Sequence, residues 1–187
     1  MNPGRWYNVS NLLSLSRIVL MVPVIAVMSV PMTFQREIAV LIILLAVATD
    51  ALDGYLARRL NEVSELGKII DPLADKVGAA IVVGMLAIFG DIPLWFAAAV
   101  LARDLIIFSA GLYVKHRTGI ILPSLMAGKV AVSFLALYVV LAMLRYETWQ
   151  TLTTAVFIIT NITLAFSMAV YARRFFGTLA AHRNKGT

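Results

Sequence analysis

The sequence predicts an all-α membrane protein, and three observations carry that expectation. Of 187 residues, 61% are hydrophobic and 14% charged, whereas a soluble domain carries about a quarter charged residues. Apolar runs recur at lengths near the ~20 residues that a helix needs to cross a bilayer. Glycine, proline and charged residues separate these runs, and no polar segment is long enough to form a second domain. Residues 1–187 therefore read as a single membrane domain, with a polar, frayed tail from about residue 175 to 187.

Six transmembrane helices are expected in order. The first covers about residues 11–30 and is closed by Pro31; it is not a short apolar core followed by a small-residue cleavage site, so it is expected to be a mature span. The second covers about 38–57 and the third about 69–89. Gly90, Asp91 and Pro93 make a tight connection into the fourth, about 93–114. The fifth covers about 122–144 and the sixth about 149–171. Trp6, Tyr7, Tyr113, Trp149 and Tyr171 fall near span ends, where interfacial aromatics belong.

Loop charge gives the orientation. With both termini on one side, that side holds Arg5, Arg58, Arg59, Lys68, Lys115, Arg117, Arg173, Arg174, Arg183 and Lys185. The other side holds Arg36 and Arg145. Positive residues collect on the cytoplasmic face, so both termini are expected there. The net charge of +6 thus reflects membrane topology rather than nucleic-acid binding. With no cysteine in the chain, disulfides, thiolate catalysis and Cys-ligated metals are excluded.

The ionisable residues inside the spans concentrate at one level. Asp50 and Asp53 are three apart at the end of the second span, and Asp71 and Asp75 are four apart at the start of the third. Each pair shares a helix face. Asp50 and Asp75 are each expected roughly 10 Å below the cytoplasmic boundary. If the two helices are adjacent and antiparallel, four carboxylates meet at nearly equal depth. Such a group must be protonated, paired with cations, or bound to metal. Oxygen-only donors favour hard divalent ions, Mg²⁺, Mn²⁺ or Ca²⁺, and two of them would neutralise all four charges. Paired ions also suit a diphosphate, where they can stabilise both attacking and leaving oxygens. The plainer alternative makes Asp53 and Asp71 ordinary loop residues beside short spans. Gly54 and Gly67 permit close backbone approach by a ligand, or serve only as loop or packing glycines. Arg58, one turn beyond Gly54, suits a phosphate or charge balance.

The segment Asp50-Ala-Leu-Asp53-Gly54-Tyr-Leu-Ala57-Arg58, then eight residues, Gly67, three residues, Asp71, three residues and Asp75, resembles the signature of CDP-alcohol phosphatidyltransferases. All eight fixed positions are filled at the family spacing. The likeness extends through most of the chain, including the opening Asn11-Leu-Leu-Ser-Leu-Ser-Arg17. It implies transfer of the phosphatidyl group of CDP-diacylglycerol to an alcohol, with release of CMP. Mapped by motif position, Asp50, Asp53, Asp71 and Asp75 would hold two ions, Mg²⁺ or Mn²⁺, and Asp75 would also be the general base. Asp50, Gly54, Ala57, Arg58 and Gly67 would line the CDP-lipid pocket. The resemblance further implies a homodimer, for which Gly78, Ala79, Ala80 and Gly84 could allow close helix packing.

The acceptor depends on other residues. Arg103 lies midway along the fourth span and Lys129 a few residues into the fifth, depths at which each needs a partner. They could line a pocket for an anionic acceptor, with Arg117 at its mouth and Arg17 serving either substrate. The plainer alternative pairs Arg103 with Asp104 or a neighbouring helix for packing alone. His116 and His182 read as surface residues. Among family branches, the chain is most similar to phosphatidylglycerophosphate synthases and CMP-forming cardiolipin synthases. The first branch carries an extra arginine about two turns after Arg103, where this chain has Ser109-Ala110-Gly111, and a threonine after Lys129 that is absent here. The stretch from Arg103-Asp104 to Tyr113-Val-Lys-His-Arg117-Thr resembles the second. Glycerol 3-phosphate ranks first as acceptor and phosphatidylglycerol second. A small cation transporter could also bury aspartates in a six-span bundle, but would give no reason for the Gly54, Ala57, Arg58 and Gly67 spacing.

Overall fold

The computed structural model describes residues 19, 21–59, 67–119 and 123–183, with the backbone alone at 50–59, 67–75 and 183. The described chain is all-α. Helix α1 covers residues 21–29, followed by α2 (Gln35–Arg59), α3 (Gly67–Ile88), α4 (Leu94–Thr118) and α5 (Met126–Leu144). A short 3₁₀ turn, Glu147–Trp149, leads into α6 (Gln150–Arg183). Two compact units result, Met1–Phe89 with α1 to α3 and Gly90–Thr187 with α4 to α6.

In the first unit, α1 buries Met21, Val24 and Met28, three positions that share a helix face. It ends before Pro31, which has no N–H to continue the ladder. Phe34 then takes a left-handed φ of 62°, and the Gln35 side chain accepts from the Met32 N–H at 3.2 Å. That bond fixes the entry to α2, which buries Ala39, Val40 and Ala46 while Leu41, Leu44, Leu45 and Val47 stay exposed. Helix α3 buries Val82, Val83, Met85 and Leu86.

In the second unit, Pro93 stands in extended backbone before α4, and its carbonyl accepts from the Phe96 and Ala97 amides. Neighbouring side chains give the helix directions. Phe96 lies against Phe157, Arg103 against Ser167 and Tyr113 against Phe175, so α4 and α6 run parallel. Tyr138 meets Phe157, Phe134 meets Thr160 and Leu125 meets Tyr171, so α5 runs antiparallel to α6. The ring centroids of Phe96, Tyr138 and Phe157 lie 5.0 to 5.2 Å apart and pin all three helices at one level. Beyond that level, the buried Asp91 carboxylate pairs with Arg145 at 3.2 Å, tying the approach to α4 to the end of α5.

Leu105, Ile106, Leu152, Ile158, Ile162 and Phe166 remain exposed. Apolar surface of this kind belongs against acyl chains. Among the described residues, the segments Leu94–Thr118, Met126–Leu144 and Glu147–His182 are long and apolar enough to cross a membrane. The protein is therefore an integral membrane protein.

The last described residues differ from their expected form, while residues 184–187 lie outside the described residues. Residues 175–183 are helical and continue α6 to Arg183 instead of fraying. Phe175 packs on Tyr113 at 6.1 Å, and Thr178 donates to the Arg174 carbonyl at 2.9 Å. Leu179, Ala180 and Ala181 then supply strong helix formers.

Candidate active site

The aspartate motif divides between two helices. Asp50, Asp53, Gly54, Ala57 and Arg58 occupy the last three turns of α2, whereas Gly67, Asp71 and Asp75 occupy the first three turns of α3. Helical backbone through both segments preserves the three- and four-residue spacings that set each aspartate pair on one face. The motif side chains, and residues 60–66 between the helices, lie outside the described residues. No cluster of three metal-ligating side chains occurs among the described residues. The donor chemistry of the motif nevertheless fits a divalent ion, because four carboxylates and no softer ligand supply hard oxygen donors. Lys76, directly after Asp75, is partly buried in α3.

Arg103 is the best-defined cation of the second unit. Its side chain is only 11% exposed, and Nη1 meets Asp104 Oδ1 at 2.6 Å. Nη2 donates to Ser167 Oγ on α6 at 2.7 Å. Nε is buried and has no hydrogen-bond partner among the described residues. The pairing with Asp104 is the plainer of the two sequence readings. The bond to Ser167 is additional, and each terminal nitrogen keeps a second N–H beyond these two bonds.

Lys129 lies in the first turn of α5 with an exposed side chain, and its amide donates to the Leu125 carbonyl at 3.1 Å. The antiparallel register of α5 on α6 puts this turn opposite the Ser167–Tyr171 turn. Arg103 and Lys129 therefore stand at similar depth in the second unit. Arg117 is separated from Arg103 by roughly 21 Å along the axis of α4. Its guanidinium lies 5.8 Å from the Tyr113 ring centroid, an ordinary cation–π arrangement. Arg17 lies outside the described residues. His116 and His182 are exposed.

Helix α6 contributes residues that were not singled out as site residues from the sequence. Thr160, Ser167, Tyr171 and Arg174 share one face and each bonds across to another segment. Thr160 Oγ1 reaches the Phe134 carbonyl at 3.2 Å, and the Tyr171 hydroxyl accepts from the Leu125 N–H at 3.2 Å. Arg174 Nη1 donates to the Pro123 carbonyl at 2.8 Å. Gly128 makes room for this arrangement: a Cβ there would lie 2.6 Å from the Tyr171 hydroxyl. The available signal was small and polar residues at heptad spacing in an apolar helix, Thr160, Ser167 and Arg174.

Comparison with known proteins adds an independent finding. Residues 7–172 match the CDP-alcohol phosphatidyltransferase family. Proteins named CDP-diacylglycerol–glycerol-3-phosphate 3-phosphatidyltransferase, from Escherichia coli strain K12 and Shigella flexneri serotype 5b, are each 37% identical to the chain over 105 residues. The matched stretch covers 54% of this chain and 57% of each of those proteins. The chain thus spans about half the length of the curated relatives it matches.

Proposed function

The chain belongs to the CDP-alcohol phosphatidyltransferase family, and from that premise we propose that it transfers the phosphatidyl group of CDP-diacylglycerol to glycerol 3-phosphate. The observation that carries this reading is the family match across residues 7–172, which includes the complete Asp50-to-Asp75 motif. The acceptor is supported by the reaction named for the relatives that are 37% identical. Phosphatidylglycerol is the second acceptor considered, favoured by Ser109-Ala110-Gly111 on α4 where an additional arginine would help to hold a terminal phosphate.

In the proposed reaction the acceptor hydroxyl oxygen attacks the phosphatidyl phosphorus. The bond from that phosphorus to the CMP oxygen breaks, and CMP leaves. Asp75 takes the hydroxyl proton. Asp50, Asp53, Asp71 and Asp75 would hold two divalent ions, Mg²⁺ or Mn²⁺. When bound, such ions supply neutralising charge to the diphosphate and the developing leaving group. Gly54, Ala57 and Gly67 leave room for the nucleotide and diphosphate, and Arg58 balances phosphate charge. Arg103 and Lys129 orient the anionic acceptor, with Arg117 and Arg17 as further cations for substrate.

Six spans with both termini cytoplasmic would put the motif close to the headgroup layer. The donor's acyl chains would then remain in lipid while its nucleotide reaches the site from the cytoplasmic side. A homodimer completes the proposal. In support of it, Gly84 on α3 is only partly buried, and a Cβ added there would meet no described atom within 4 Å, as a small residue at a helix–helix contact would.

Purified protein assayed with CDP-diacylglycerol and Mg²⁺ or Mn²⁺ tests the acceptor directly. CMP release is expected with glycerol 3-phosphate. Release with phosphatidylglycerol alone would assign the second acceptor. Metal flux without any dependence on a nucleotide lipid would instead support the transporter alternative.

A further inference from the structure

Arg103 does not stand alone. A guanidinium on a flexible stem can tilt and rotate, and an anion is recognised well only when its N–H donors are held in place. Here Asp104 holds Nη1 from the same helix and Ser167 holds Nη2 from α6, at 2.6 and 2.7 Å. Two anchors at different nitrogens fix the plane of the group and leave a second N–H on each of Nη1 and Nη2. Ser167 is itself constrained. It is 0% exposed, and its Oγ donates to the Leu164 carbonyl at 3.2 Å. Its proton is therefore engaged along α6 while a lone pair receives Nη2.

The depth of Ser167 is also fixed. One turn further along the same face, the Tyr171 hydroxyl accepts from Leu125 N–H. One turn beyond that, Arg174 donates to the Pro123 carbonyl. Both bonds hold α6 against the segment that opens α5, just before Lys129. One helix face thus sets the guanidinium of Arg103 and the starting turn of Lys129 against a common scale.

We propose that Ser167 is a positioning residue for the anionic part of the acceptor, acting through Arg103. This inference rests on the proposed role of Arg103 in acceptor binding and extends it to α6. Ser167 touches neither substrate in this account. Removing its hydroxyl leaves Nη2 without its buried acceptor and releases one of the two anchors on the guanidinium plane.

Ser167→Ala, Arg103→Ala and the double variant, all in the full chain, provide the test. CMP release is measured against glycerol 3-phosphate at saturating CDP-diacylglycerol, and then with the substrates exchanged. Ser167→Ala is expected to raise the KM for glycerol 3-phosphate about tenfold, as expected for losing a hydrogen bond to a charged group. Its kcat and its KM for CDP-diacylglycerol are expected to stay within about twofold of wild type, a difference too small to signal a lost interaction. Adding Ser167→Ala to Arg103→Ala is expected to change the acceptor KM no further, because the serine acts through the arginine. A wild-type acceptor KM in Ser167→Ala, with a raised one in Arg103→Ala, would overturn the positioning role alone. Additive effects in the double variant would also overturn it. Absence of CMP release from wild-type protein with glycerol 3-phosphate would overturn the acceptor reading together with the inference built on it.

Discussion

At the scale of single residues, packing and chemistry make different demands. Gly128 is a packing residue: a Cβ there would lie 2.6 Å from the Tyr171 hydroxyl and 2.9 Å from a ring carbon. Gly128→Ala therefore has to displace the ring and break its bond to Leu125. Thermal or denaturant unfolding in detergent should show a loss of about 1–3 kcal/mol, the usual cost of overpacking. The loss should shrink in a Tyr171→Leu background, where the obstruction is gone. Arg103 is different, since its partners leave donors available. Arg103→Ala should raise the acceptor KM while leaving the KM for CDP-diacylglycerol near wild type, as steady-state kinetics would show. The pairing of Arg103 with Asp104 was legible from the sequence, because the two are neighbours in an apolar span. The Ser167 partner was not, because the Arg103–Ser167 contact depends on the register of α4 against α6.

Among the elements, helix positions were readable wherever punctuation was strong. Pro31 ends α1, and Pro93 stands immediately before α4. The end of α6 was harder to read because Arg173 and Arg174 resemble the close of a membrane span. They instead lie inside a helix of 34 residues, or roughly 50 Å at 1.5 Å per residue. Helix propensity and the Phe175–Tyr113 contact carry it past the apolar stretch. The inward face of α6 also bears its cross-helix hydrogen bonds. Thr160, 0% exposed, shares its hydroxyl between its own helix and the Phe134 carbonyl. Thr160→Val should lower stability by about 1 kcal/mol with little change in acceptor KM. Equilibrium unfolding combined with kinetics would separate this structural bond from the positioning bond at Ser167.

For the whole molecule, the membrane class follows from composition and from three described helices of crossing length. The complete topology rests on loop charge, which is a property of the chain in its membrane. The absence of native cysteine makes that topology directly measurable. In sealed cells, Lys185→Cys should resist an impermeant thiol reagent until the membrane is opened, whereas Thr33→Cys should react at once. The opposite pattern would invert the orientation. The aspartate motif stands out in the sequence by its spacing, and the structure adds helical backbone on both sides of residues 60–66, while the motif side chains lie outside the described residues. The central claim is metal-dependent phosphatidyl transfer with Asp75 as base, and its most direct measurement is CMP release by wild-type protein and Asp75→Asn. With CDP-diacylglycerol and glycerol 3-phosphate, wild-type release should depend on Mg²⁺ or Mn²⁺ and stop with a chelator. Asp75→Asn should lower it by at least about 10²-fold, the lower range for loss of a general base. Release that persists in Asp75→Asn, or that ignores the metal, would contradict the account.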